Sequence, residues 1–172
     1  MISVWDGQNY ILRQVTTVTP PELIPVSSAL GRLLAEDLHA QFDVPPADNS
    51  AVDGYAVSSQ DIPAEGHATL AVVADLPAGT VFEGIVQRGQ SIRIMTGAPL
   101  PKGVDTVVPQ ELVQRDGDEV RIPPIAKNAN VRSAGEEVKA GAVVVTAGSV
   151  LRPQELGLVA SLGHSQVMVR RR

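Results

Sequence analysis

The chain has 172 residues, a net charge of −5, 44% apolar and 19% charged residues, and no cysteine. This is a globular composition with room for one domain or two small ones, and it excludes disulfides, thiolate metal sites and cysteine nucleophiles. The acidic balance argues against general nucleic-acid binding, which needs a basic face, but a local Arg/Lys cluster can still hold an anionic small ligand.

Aromatic residues make up only 3%, so a core must come from Val, Leu, Ile and Ala, and 15 Gly with 13 Pro favour short strands and many turns. A strand-rich α+β fold is expected. His39, His67 and His164 stand singly, without metal-ligand spacing. The apolar runs are too short to span a bilayer, and the first residues show no secretory leader. A soluble, cytoplasmic protein with no nucleic-acid or membrane partner is the expectation.

In chain order, Ser3 caps an expected helix over 4–15, with Ile11, Leu12 and Val15 at helical spacing, that stops before the Thr-rich 16–19. Pro20-Pro21 forces an extended linker. Ser27 is a second N-cap candidate, for a short helix through Ala29, Leu30 and Arg32. Residues 33–44 read as extended. After the polar stretch 45–54, Tyr55-Ala56-Val57 enters a strand, and further strands are expected at 69–74, 81–86, 91–95, 106–110 and 120–122. Asp116-Gly117-Asp118 is a hairpin signal between two of these segments. Residues 142–146 form a buried-type strand. Arg152-Pro153-Gln154-Glu155 opens a helix with Pro at its first position, Glu155 at the positive end of the dipole and Gly163 after its end. Arg152 is a poorer cap than Ser or Thr. Val167-Met168-Val169 is the last strand, before Arg170-Arg171-Arg172. The arrangement suggests a β-barrel-like module, 51–137, inserted into a small α/β base module, 1–50 plus 138–172, with polar crossings at 45–55 and 128–137 as the hinge.

Three clusters carry possible chemistry. Asp48, Asn49, Ser50 and Asp53 form the first; Asp53 precedes Gly54, and composition alone favours a turn over a site. The second is Arg93-Ile94-Met95-Thr96-Gly97-Ala98-Pro99-Leu100-Pro101-Lys102-Gly103. A strand ending in Thr-Gly can expose backbone N–H groups as an anion nest, and a proline-braced loop is the blander reading. The third is Arg132 with Glu136 and Glu137: paired carboxylates for a hard cation such as Mg2+, or a solvated surface cluster. Tyr10 and Tyr55 read as packing residues.

Together these segments resemble one family. The pieces occur in order: Ala29-Leu30-Gly31-Arg32-Leu33-Leu34-Ala35-Glu36-Asp37; the block ending Asp53-Gly54-Tyr55-Ala56; Met95-Thr96-Gly97-Ala98-Pro99; Asn130-Val131-Arg132 with Gly135-Glu136-Glu137; and Ala160-Ser161-Leu162-Gly163. They are similar to the N-terminal half of the molybdopterin molybdenumtransferases, the MoeA-type molybdenum insertases that include the E domain of gephyrin. The resemblance implies a homodimeric enzyme that takes adenylated molybdopterin and molybdate and, with a divalent cation such as Mg2+, releases AMP and molybdenum cofactor. It implies functional roles for Asp53, Thr96 and Glu137, substrate contacts at Gly97, Lys102 and Arg132, and metal contacts at Asp53 and Glu136. Glu137 stands where many members carry aspartate. The family's Thr-Gly-Asp-Glu-Leu, Ser-Gly-Gly and Pro-Gly-Asn-Pro motifs are absent, so the pterin-binding and C-terminal β domains are expected to be missing and this chain alone to be inactive. Two other readings stand beside this one: a non-enzymatic dimerisation or scaffold module, and a small metal enzyme built on Asp53, Glu136 and Glu137.

Overall fold

The computed structural model describes residues 2–15 and 20–171. The helix stop expected at 16–19 and the last of the terminal arginines lie outside them. Among the described residues the elements are α1 (Val4–Gln14), β1 (Pro21–Pro25), β2 (Leu38–His39), β3 (Asn49–Ser50), β4 (Gly54–Val57), β5 (Ala68–Leu76), β6 (Gln90–Ile94) and β7 (Thr106–Pro109). They continue with β8 (Gln114–Asp116), β9 (Glu119–Ile122), β10 (Val131–Arg132), β11 (Val143–Val145), α2 (Pro153–Ser161) and β12 (Gln166–Arg170). The strand-rich α+β class is the one expected. No helix among the described residues is long and apolar enough to cross a membrane.

The chain forms two units, 1–41 with 141–172, and 42–140. Residues 42–50 and 138–140, assigned to the base module on sequence, belong instead with the β unit. Backbone pairing is the reason: Val44 bridges Val138, and β3 pairs antiparallel with β10. The two polar crossings therefore pair with each other inside one unit.

In the first unit, Ser3 caps α1 by accepting from the Asp6 N–H at 3.1 Å, as its position predicts. No residue of α1 is buried, and Tyr10, expected to pack, is 65% exposed. β1 pairs antiparallel with β12, so the segment read as a linker is a strand. Arg32 ties this pair together by ion-pairing with Glu22 and donating to the Arg170 carbonyl at 2.7 Å. The helix expected after Ser27 is only a 3₁₀ turn, Val26–Ser28. It ends at its cap Ala29, and Gly31, at φ +70°, turns its N–H aside to the Leu151 carbonyl. Arg152 does start α2. The Glu155 carboxylate compensates for the missing cap hydroxyl, accepting the Arg152 backbone N–H at 2.9 Å and ion-pairing its guanidinium at 2.6 Å. Leu34, Leu151, Val159, Val167 and Val169 close the core; Val143, expected buried, is 46% exposed.

The second unit is built on a curled six-stranded sheet of order β7-β4-β6-β5-β9-β8. Alternation along β4 explains its two cores. Ala56 lies with Ile92 and Val107 on one face, and Tyr55 and Val57 lie with Val108, Val120 and Ile122 on the other. Fully burying side chains such as Ile92 and Ile94 contributes roughly 1.5–3 kcal/mol each. In β5 a register shift between Val72 and Ala74 reverses the phase. Leu70 and Val72 pack on the Tyr55 face, and Ala74 and Leu76 on the Ala56 face.

The strand expected at 81–86 does not form. Both edges of β5 and of β6 are already paired, and the segment has only a single bridge, Ile85 to Lys102, leaving Val81 73% exposed. A β-prone run without a partner edge stays irregular. The strand of this sheet that the sequence did not predict is β8, whose three residues are all exposed and so carry no apolar alternation to read.

Asp105 pins this unit internally. Burial pushes its pKa up, but donors from Ser59 Oγ (2.6 Å), the Ser59 N–H (2.7 Å) and Thr106 Oγ1 (3.0 Å), with the Lys127 charge, outweigh that and hold it below the ordinary value. A carboxylate whose folded pKa is depressed adds stability above its unfolded pKa, and that stability is lost as pH falls through the folded value. Asp105→Asn is expected to cost roughly 1–2 kcal/mol at pH 7. In urea titrations the difference from the parent should shrink as pH drops below the ordinary carboxylate range; a difference independent of pH would contradict this role.

Candidate functional site

β4 begins at Gly54, β6 ends at Ile94 and β7 ends at Pro109, with β4 antiparallel to both. The residues just beyond, Asp53, Thr96 and Gln110, are thereby brought to one end of the sheet. The Gln110 N–H donates to the Asp53 carbonyl at 3.0 Å. Asp53 Oδ1 accepts twice from Thr96, from its N–H at 2.8 Å and its Oγ1 at 2.7 Å. The Thr96 hydroxyl, then its backbone N–H, hold the carboxyl below its ordinary pKa; the Arg93 charge adds to this and partial burial opposes it. Oδ2 makes no hydrogen bond with a described residue. The result is an ionised carboxylate with one oxygen held and one open.

Residues 48–51 run between two neighbours. On one side the Ser50 N–H reaches the Ala98 carbonyl, the Gly97 N–H the Ser50 carbonyl, and the Leu100 N–H the Asp48 carbonyl. On the other, Ser50 pairs with Val131 and Asn49 with Arg132, and Asp48 Oδ1 accepts the Ala134 N–H at 2.8 Å. A recess of about 280 Å3 opens here, lined by Asp48, Leu100, Asp105, Asn128 and Ser133 among others.

The structure thus joins Asp53 directly to Thr96, and places Arg132 across β3 from the 97–100 turn. The Arg132 and Lys102 side chains are exposed and make no hydrogen bond or ion pair with a described residue. The turn after Thr96 fits the proline-braced loop reading rather than the open anion nest. Its amides are engaged, Thr96 on Asp53, Gly97 on Ser50 and Ala98 on Met95, and Gly97, at φ +81°, serves the turn itself. Glu136 Oε2 accepts the Ser133 N–H at 3.0 Å, and Glu137 bonds through its backbone N–H to the Val44 carbonyl at 2.9 Å. Among the described residues no group of three or more His, Asp or Glu forms a cation cage.

Sequence reading left out one feature of the same sheet end. Tyr55, Arg93, Gln110, Glu111, Val113 and Arg115 line an open recess of about 510 Å3. No local motif marks it, because Arg115 comes from β8, at the opposite edge of the sheet order from β7 and β4.

The comparisons with known proteins agree with one another. The family model described as the MoeA N-terminal region (domain I and II) matches residues 2–163. A molybdopterin molybdenumtransferase of Haemophilus influenzae is 37% identical over 169 residues, 97% of this chain and 41% of that protein. Molybdopterin molybdenumtransferase 2 of Mycobacterium tuberculosis is 35% identical over 173 residues, 98% of this chain and 42% of that protein. The crystal structure of a molybdopterin biosynthesis moeA protein from Pyrococcus horikoshii OT3 superposes with a TM-score of 0.91 at 36% identity, covering 98% of this chain and 46% of that one. The chain spans about two-fifths of the length of these curated relatives, and over that span it belongs to the MoeA N-terminal family, domains I and II.

Proposed function

We propose that this chain supplies the domain I and II part of a cytoplasmic, homodimeric molybdenum insertase. The whole enzyme would convert adenylated molybdopterin and molybdate to molybdenum cofactor with release of AMP. The observation that carries the reading is the Asp53–Thr96 pair: an ionised carboxylate fixed by two hydrogen bonds at a sheet end, with its second oxygen open. Rigid placement of this kind suits a group that must meet a reacting phosphoryl centre. Arg132 and Lys102, without a partner among the described residues, are the cations proposed to face the anionic substrate. Exposed apolar side chains on α1, among them Trp5, Ile11 and Leu12, support burial against a second copy.

Mg2+ takes oxygen ligands and keeps several waters, so one or two carboxylates suffice to hold it. Asp53 Oδ2 and the second Glu136 oxygen, both without hydrogen bonds to a described residue, fit that requirement in kind. When bound, the ion would neutralise charge developing on phosphate oxygens. Glu137, whose carboxylate also has no partner among the described residues, is proposed beside them as an acid–base group.

The test joins this chain to the remaining three-fifths of the Haemophilus influenzae relative. The chimera is expected to form molybdenum cofactor from adenylated molybdopterin and molybdate, and the 172-residue chain alone to form none. Product from the isolated chain, or none from a folded, dimeric chimera, would sink the proposal.

A further inference from the structure

We propose that the recess framed by Arg93, Arg115 and Tyr55 binds a phosphate-type oxyanion at the same end of the sheet as the Asp53–Thr96 pair. Its link to the substrate rests on the function proposed above; the binding itself belongs to this chain.

Strand register builds the recess. Arg93 on β6 stands opposite Tyr55 on β4 and Asp75 on β5. The β5 register shift matters here, because it brings Asp75, rather than Ala74, onto the face that Arg93 and Tyr55 share. Asp75 is engaged by Arg115 Nη1 at 3.4 Å. That leaves Arg93, partly buried in mid-sheet, with no hydrogen bond or ion pair to any described residue. A guanidinium offers five N–H donors and no acceptor, and removing such a group from water without a partner is unfavourable. The Arg93 charge is felt by the Asp53 carboxylate, but its five N–H donors remain open to an acceptor.

The neighbouring groups fit an oxyanion. Arg115 spends Nε on the Gly117 carbonyl at 2.9 Å and Nη1 on Asp75 at 3.4 Å, and makes no hydrogen bond from Nη2 to a described residue. The Tyr55 hydroxyl has a proton to donate. Gln110 adds an amide. The one carboxylate lining the recess, Glu111, is exposed and held only by Gln110 Nε2 at 3.4 Å; Asp75, paired with Arg115, and Asp53, which feels the Arg93 charge, stand outside that lining. The donors come from β4, β6, β8 and the turn after β7. Two guanidinium forks match the oxygens of a phosphate-type oxyanion and strengthen its binding by charge-assisted bonds. The recess, at about 510 Å3, has room for a larger molecule carrying the phosphoryl group.

The experiment titrates the ¹⁵N-labelled 172-residue chain with inorganic phosphate and, separately, with adenosine monophosphate, at ionic strength fixed by chloride. Saturable shifts are expected at the Arg93 and Arg115 Nε–H and the Gln110 side-chain amide. Arg93→Gln and Arg115→Gln should each weaken binding roughly tenfold or more, the loss expected for a charge-assisted bond. Arg88→Gln, which removes a surface pair with Asp61, should leave binding unchanged. Tighter binding of the nucleotide would assign the site to a phosphoryl group on a larger ligand, and equal binding to the free oxyanion; either supports the site. Shifts that are linear or reproduced by chloride overturn it, as do unaltered affinities in both variants. If Arg93→Gln does not fold, Arg115→Gln, at an exposed position, decides alone. Phosphate binding requires no molybdenum chemistry, so an inactive chimera with an intact phosphate site would reject the proposed function and retain this inference.

Discussion

Asp53→Asn in the chimera is expected to lower kcat by roughly a hundredfold or more, the range for a positioned acid–base or metal-holding carboxylate, while the melting temperature stays nearly unchanged. The amide keeps the shape of the side chain, and its Oδ1 can still accept from the Thr96 N–H and hydroxyl that hold Asp53 now. What disappears is the charge and the second carboxylate oxygen. Thr96→Val separates positioning from charge: it removes the hydroxyl, the largest cause of the depressed Asp53 pKa, and leaves the backbone donor. The Asp53 pKa should then rise, moving the acid limb of the pH–rate profile upward, with a smaller loss of roughly tenfold in kcat. A wild-type rate for Asp53→Asn would return that residue to a turn-closing role.

Gly54→Ala should be among the most damaging conservative changes in the second unit. A Cβ at Gly54 would lie 2.2 Å from the Val108 carbonyl oxygen and 2.9 Å from its carbon. Gly54 pairs with Ile94 on one side and Pro109 on the other, so the backbone cannot yield to one neighbour without disturbing the other ladder. A loss of about 3 kcal/mol or more is expected, read as a fall of about 10 °C in Tm. The contrast is Gly117→Ala at the β8–β9 turn, where φ is +58° but nothing lies within 4 Å of the added carbon. Only backbone strain opposes it, about 1–2 kcal/mol. Equal losses in the two variants would show that conformation, not close approach, is what Gly54 provides. Because Gly54 carries Asp53 on one side and Tyr55 on the other, its close packing on β7 also positions the site.

Local chemistry made several features legible. Ser3 before an apolar periodic run, Pro153 and Glu155 opening a helix, and Asp116-Gly117-Asp118 between strands act within a few residues, and each appears where it was expected. The Asp53-Gly54-Tyr55-Ala56 and Met95-Thr96-Gly97-Ala98-Pro99 blocks were legible as a family signature. Their hydrogen-bonded meeting was not, since 43 residues separate Asp53 from Thr96. Residues 81–86 have the composition of a strand and lack one because both edges of the flanking strands β5 and β6 are already paired, a condition no local pattern expresses. The Ser27 helix failed for a similar reason, its turn being claimed by backbone bonds to residues near 150.

The sequence by itself determined the class of the fold, most strand and helix positions, the family and the candidate carboxylate, because propensity, capping and motif chemistry are local. Only the tertiary structure decided that 42–50 and 138–140 join the β unit, that the amides of the 96–98 turn are already spent, and that Arg93 and Arg115 share a recess. Those outcomes depend on which strand edges and which donors remain unpaired once the long-range ladders have formed.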